Sequence, residues 1–137
     1  MATPIHLAEK LKDVQDYFSP MIVGEVNNVY IKLAKIKGDD LPWHNHENED
    51  ELFYILEGSL LFEVEGQPSF TLSKGDMYIV KQGINHRVSA AEECHIMLVE
   101  PKETAHTGSI QTDITKSISE QLYHIAPNHT QSSADDK

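Results

Sequence analysis

The densest group of chemically capable side chains is Trp43-His44-Asn45-His46-Glu47-Asn48-Glu49-Asp50-Glu51, followed by the apolar run Leu52-Phe53-Tyr54-Ile55-Leu56. On an extended chain alternate side chains face the same way, so His44 and His46 point to one side, close enough to ligate a single ion. Glu51 opens the next strand, where its carboxylate returns to that ion once the hairpin folds. A fourth ligand is available in His86, which follows the turn signal Gln82-Gly83. Three imidazoles and one carboxylate suit one divalent iron, manganese, nickel, copper or zinc ion. Octahedral coordination would leave two positions for water, substrate or dioxygen.

The elements that must hold these residues are mostly strands. Ile5, Leu7, Ala8, Leu11 and Val14 lie near helical spacing with Pro4 in the first turn, which predicts one short amphipathic helix ended by Ser19-Pro20. From Met21 to Val99 the chain becomes a series of short β-branched and aromatic runs: 21–26, 29–36, 52–56, 59–64, 69–72, 77–80, 87–90 and 95–99. Turn signals such as Asn27-Asn28, Glu57-Gly58, Gly66-Gln67-Pro68 and Gly75-Asp76 separate them. About eight strands at this spacing, with no crossover helix between them, predict an all-β fold built on a closed or sandwiched antiparallel sheet. After Pro101 a helix is expected around Ile114 to Ile125, then a loose polar tail over 128–137. The expected organisation is therefore an N-terminal helical extension (1–20), a barrel (21–100) and a C-terminal extension and tail (101–137).

Two spacings resemble a known family. Gly38-(five)-His44-x-His46-(four)-Glu51-(six)-Gly58 is similar to the first motif of the cupins at every anchor, and Gly75-(seven)-Gly83-(two)-His86 is similar to the second. The resemblance implies a small jelly-roll β-barrel holding one metal ion through His44, His46, Glu51 and His86, and a homodimer in which edge strands such as 29–36 are covered. It selects Glu51 among the acidic neighbours, leaving Glu47, Glu49 and Asp50 as a solvated loop at the barrel mouth. Lys81 stands where the second motif usually has Pro, and Ala90 where it usually has Asn; neither is a ligand. The resemblance admits a metal-dependent enzyme acting on a small polar molecule by dioxygenation, isomerisation, decarboxylation or lyase chemistry, and it does not choose among these. The alternatives are a non-catalytic module that binds a small ligand or a metal, and an empty structural barrel.

Other residues bear on what such a barrel could do. His6, His95, His106, His124 and His129 have no ligand-like partners in the sequence; His95 alone would matter as an acid or base if its strand turned it inward. Arg87, the only arginine, is adjacent to His86 and should point away from the metal, so an anionic substrate would rely on the metal, on a lysine such as Lys32, or on Tyr and His donors. Phe53 and Ile55 share the parity of Glu51 and are candidate inward walls. Trp43 should face away from His44, while Tyr30, Tyr54 and Tyr78 cannot be assigned to a face. Cys94 reads as a small buried residue.

Composition excludes several function classes. The chain has 137 residues, enough for one domain, with 39% of them hydrophobic. Its 22 acidic residues against 11 basic ones give a net charge of −11, which repels a phosphate backbone or an anionic membrane surface. A single cysteine offers no disulfide framework. No stretch has the apolar length of a signal peptide or a membrane span, so a soluble cytoplasmic protein with a small-molecule partner is the expectation.

Overall fold

Alternation of burial along the strands shows how the sequence chooses its faces. Glu51, Phe53 and Ile55 turn inward while Leu52, Tyr54 and Leu56 turn outward, and the same period of two runs through Val88, Ala90, Cys94, Ile96, Leu98 and Glu100. The computed structural model describes residues 3–103. It contains one short helix, α1 (Leu7–Leu11), and seven strands: β1 (Met21–Val26), β2 (Val29–Gly38), β3 (Glu51–Glu57), β4 (Ser59–Val64), β5 (Phe70–Ser73), β6 (Met77–Val80) and β7 (His86–Pro101). The expected C-terminal helix around 114–125 and the tail beyond it lie outside the described residues.

All strand pairings are antiparallel, in the order β1-β2-β7-β3-β6, with β4 joined to β7 and to β5. The first half of β7 pairs with β4 over Leu61–Val64, and the second half lies between β2 and β3. One strand therefore belongs to both walls of the jelly roll. The two runs expected at 87–90 and 95–99 are this single strand, and the exposed residues Ala91, Glu92 and Glu93 mark the point between them. The main core fills the space between the walls, with Leu60, Phe62, Ile55 and Ile96 almost wholly buried. Phe62 stacks on Phe70 at 5.5 Å and meets Phe53 edge-on at 5.0 Å, the offset and T-shaped arrangements that aromatic rings prefer.

A second, smaller cluster lies on the outer face, where Leu11 and Val14 cover Met21, Val23 and Leu33. The helix that delivers Leu11 is shorter than the span expected from 5 to 14. Its N-cap, His6, makes no side-chain cap hydrogen bond, so the first-turn N–H groups lack the partner that a Ser, Thr, Asn or Asp would supply. The expectation that 29–36 forms an exposed edge also needs correction: β2 lies between β1 and β7, and β1 and β6 end the main strand path. Met77 and Ile79 on β6 remain exposed. No helix among the described residues is long and apolar enough to cross a membrane.

Candidate metal centre

His44 and His86 face each other across an isolated antiparallel bridge, His44 N–H donating to the His86 carbonyl at 3.0 Å and His86 N–H to the His44 carbonyl at 2.9 Å. Only this bridge, rather than a strand, carries the His44 region, yet His44 and His46 are both buried as alternation requires. The backbone carbonyls of Pro42 and Ile84, each two residues before its histidine, accept from Nδ1 of His44 and of His86 at 2.9 Å. Each ring is thereby held in the tautomer that leaves Nε2 with a free lone pair, the arrangement typical of a metal-ligating imidazole.

His44, His46 and His86 each offer a ring nitrogen within 4.8 Å of the others, a group that can hold a metal ion. Glu51 enters from the start of β3, its Oε1 3.1 Å from His46 Nε2 and 3.7 Å from His86 Nε2. These contacts are short but not aligned as hydrogen bonds, so His46 Nε2, His86 Nε2 and Glu51 Oε1 are buried without a directed partner. Buried polar atoms are rarely left so. Three lone-pair donors converging on one point are what a divalent cation satisfies, and the donor set fits a transition metal.

The charges of the site agree with this. Burial first, and then His86, lower the His44 pKa to about 4, so the ring is neutral and ready to donate a lone pair at neutral pH. Burial opposes ionisation of Glu51, but His46, His86 and Glu100 outweigh it and hold the carboxyl well below the usual range. Glu100 moves the opposite way: burial and the Glu51 charge raise it well above the ordinary value, and Lys32 only partly offsets them. Lys32 Nζ lies 2.6 Å from Glu100 Oε2, as in an ion pair, which on its own would favour an ionised Glu100. The two facts agree if Glu100 keeps its proton while Glu51 carries the single negative charge of the two carboxyls, balanced by the Lys32 ammonium.

A cavity of about 30 Å3 opens onto His44 and Glu51, room for one or two waters. Its other walls are hydrocarbon, including Phe18, Leu41, Phe53, Val88 and Leu98. Phe18 reaches this position from the segment before β1 at a φ of 57°, a left-handed conformation that a bulky residue rarely adopts. Its N–H donates to the Lys35 carbonyl at 2.9 Å, which fixes the strained turn.

The remaining residues singled out in the sequence are distributed as follows. Phe53 and Ile55 do face inward, and Arg87 does point away, pairing with Glu63 at 2.9 Å and lying over the Trp43 ring at 5.1 Å. His95 faces outward and contacts Glu93 at 2.7 Å, which removes it from the site. Lys32 is inside the barrel, but the carboxyl of Glu100 occupies it. Tyr30 is buried, while Tyr54 and Tyr78 are half-buried. Asp50, expected to be merely solvated, accepts from Gln82 N–H and from Lys81 Nζ, both at 2.9 Å, and ties the histidine loop to the turn before His86. Sequence reasoning missed Glu100 and Phe18. A charged residue at an inward position of an apolar strand is the signal that could have found Glu100.

These walls and this ligand cluster define a jelly-roll barrel with a candidate metal site inside one end. Comparison with known proteins agrees: the family model for the cupin domain matches residues 35–100. The chain is 36% identical to a cupin-2 domain protein of Shewanella frigidimarina, covering 71% of this chain and 93% of that one with a TM-score of 0.68. It is 26% identical to protein NMB1881 of Neisseria meningitidis, over 72% of this chain and 99% of that one, with a TM-score of 0.66. It also resembles the uncharacterized protein YdbB of Bacillus subtilis, with 30% identity over 103 residues, 75% of this chain and 88% of the relative. The chain belongs to the cupin family.

Proposed function

We propose that this cupin is a metal-dependent enzyme whose single divalent ion is held by His44, His46, Glu51 and His86. The observation that carries the reading is the convergence of three buried imidazoles: His46 and His86 have Nε2 without a directed partner, and the rings of His44 and His86 are held by backbone carbonyls. A bound transition metal would supply Lewis acidity or, if iron, manganese or copper, redox chemistry. The chain's own contribution is to orient the ligands, to keep His44 neutral and to wall the small cavity beside them with hydrocarbon. Those walls favour a small substrate whose polarity is concentrated in the group that meets the metal.

Elemental analysis of tag-free protein tests this reading. Near-stoichiometric iron, manganese, nickel, copper or zinc is expected in the wild type and is expected to be lost in the His44→Ala/His86→Ala variant. Absence of bound metal after reconstitution would overturn it. A second reading, a non-catalytic module that binds a metal or small ligand, is favoured by the scarcity of acid–base groups in the cavity: apart from His44 and Glu51 its walls carry none. Turnover by the loaded wild type that disappears in a folded His86→Ala variant selects the enzyme. A ligand recovered chemically unchanged after long incubation selects the module.

A further inference from the structure

Lys32 and Glu100 are charged side chains with 0% and 1% exposure, and the ligand set just proposed gives neither a task. Lysine and glutamate are almost never fully buried unless paired. Here they come from inward positions of adjacent strands: Lys32 is opposite Leu98, and Glu100 is opposite Tyr30. On the other side of β7, Val99 is opposite Leu52, which makes Glu100 an interior neighbour of Glu51. Glu100 therefore stands between the Lys32 ammonium, 2.6 Å away, and the start of β3, where Glu51 enters the barrel. Neither residue lines the cavity beside His44.

Stability alone does not account for such a pair, because well-packed hydrocarbon in place of a buried ion pair is often neutral or stabilising. What hydrocarbon cannot do is hold a carboxylate at a fixed angle. Without a partner, Glu51 would retain rotamer freedom that its convergence on His46 and His86 does not allow. We propose that Lys32 and Glu100 are positioning residues that aim the Glu51 carboxylate at the three-histidine cluster and thereby set its affinity for metal. The inference rests on the metal-site reading above. It adds to that reading a buried bracket drawn from β2 and β7, and residues that orient ligands in this way typically change metal affinity by about 10- to 100-fold.

The test uses the full chain loaded with cobalt(II), with affinity read by competition against a chelator and ligand geometry read from the visible spectrum. The Lys32→Met/Glu100→Leu variant removes both charges together and leaves no unpaired ion. It is expected to unfold, metal-free, at a denaturant concentration close to that of the wild type, but to bind cobalt about 10- to 100-fold more weakly. Glu100→Gln keeps the shape but replaces the acid with a neutral amide; its affinity should stay within about tenfold of wild type while its cobalt spectrum shifts. This second variant keeps the inference open to refutation if the double variant does not fold. Wild-type affinity in a folded double variant, or a wild-type spectrum in Glu100→Gln, overturns the inference. Failure of the wild type to bind cobalt at all overturns the metal-site reading beneath it.

Discussion

Cys94 is fully buried between Glu93 and His95, and burial pushes its thiol up to about 11. A thiol, not a thiolate, then faces the core at pH 8, and it is inaccessible as well. The folded protein should leave a disulfide reagent such as Ellman's reagent unconsumed at pH 8 and release one equivalent on unfolding in urea; prompt reaction in native buffer contradicts the packing of β7. At this scale the clustering of His44, His46, Glu51 and His86 was legible in the sequence, because ligand chemistry restricts residue type and spacing together, and the structure brings the four to one place. Lys32 was noticed as a cation, but its neutralisation was not, because Glu100 lies 68 positions further along and pairs with it only through the β2–β7 register. Phe18 was hidden for a different reason: its inward direction depends on a positive φ, which no apolar periodicity encodes.

Glycine placement decides the elements more sharply than strand propensity does. Gly58, between β3 and β4, has a φ of +88°, and an added Cβ would lie 2.9 Å from the Glu93 carbonyl oxygen and 3.2 Å from Cys94 Cα. Gly66 has the same φ with open space around it. Ala at Gly66 should cost about 1 kcal/mol, the left-handed penalty alone. Ala at Gly58 should cost about 3 kcal/mol, because the backbone of β7 must also move. Urea midpoints of the two variants test this, and equal losses would mean that β7 does not press on the turn. The β-rich character and most strand limits were legible because alternation and turn residues are local signals. The unity of β7 was not, since Ala91, Glu92 and Glu93 interrupt its pattern where the strand passes from β4 to its β2 and β3 partners. Lys81, a departure from the cupin motif, forms an ion pair with Asp50 at 2.9 Å, a long-range contact that the motif alone does not contain.

For the whole molecule, the buried charges predict an unusual dependence of stability on pH in the metal-free state. His44 has a folded pKa lowered to about 4, so between pH 6.5 and 4 the unfolded chain binds a proton that the folded one does not, and stability falls as pH falls. Glu100 has a raised pKa, so above the ordinary value of 4.5 the folded chain keeps a proton that the unfolded one loses, and stability falls as pH rises. Between about pH 4.5 and 6.5 the two slopes oppose each other. Glu51, held low, adds stability above 4.5 that is lost as pH drops below that value. The groups facing these three are His46, His86 and Lys32, all within the same buried set. The wild type, with chelator present, should therefore show a nearly flat urea midpoint from pH 4.5 to 6.5 and a decline below it. Glu100→Gln removes the opposing proton and uncovers the His44 slope, so its stability should rise across that window by up to about 1.4 kcal/mol per pH unit. Parallel profiles for the two proteins would show that Glu100 binds no extra proton in the folded state. The single negative charge of Glu51 and Glu100 would then have to be replaced by two full carboxylates facing one lysine inside the barrel.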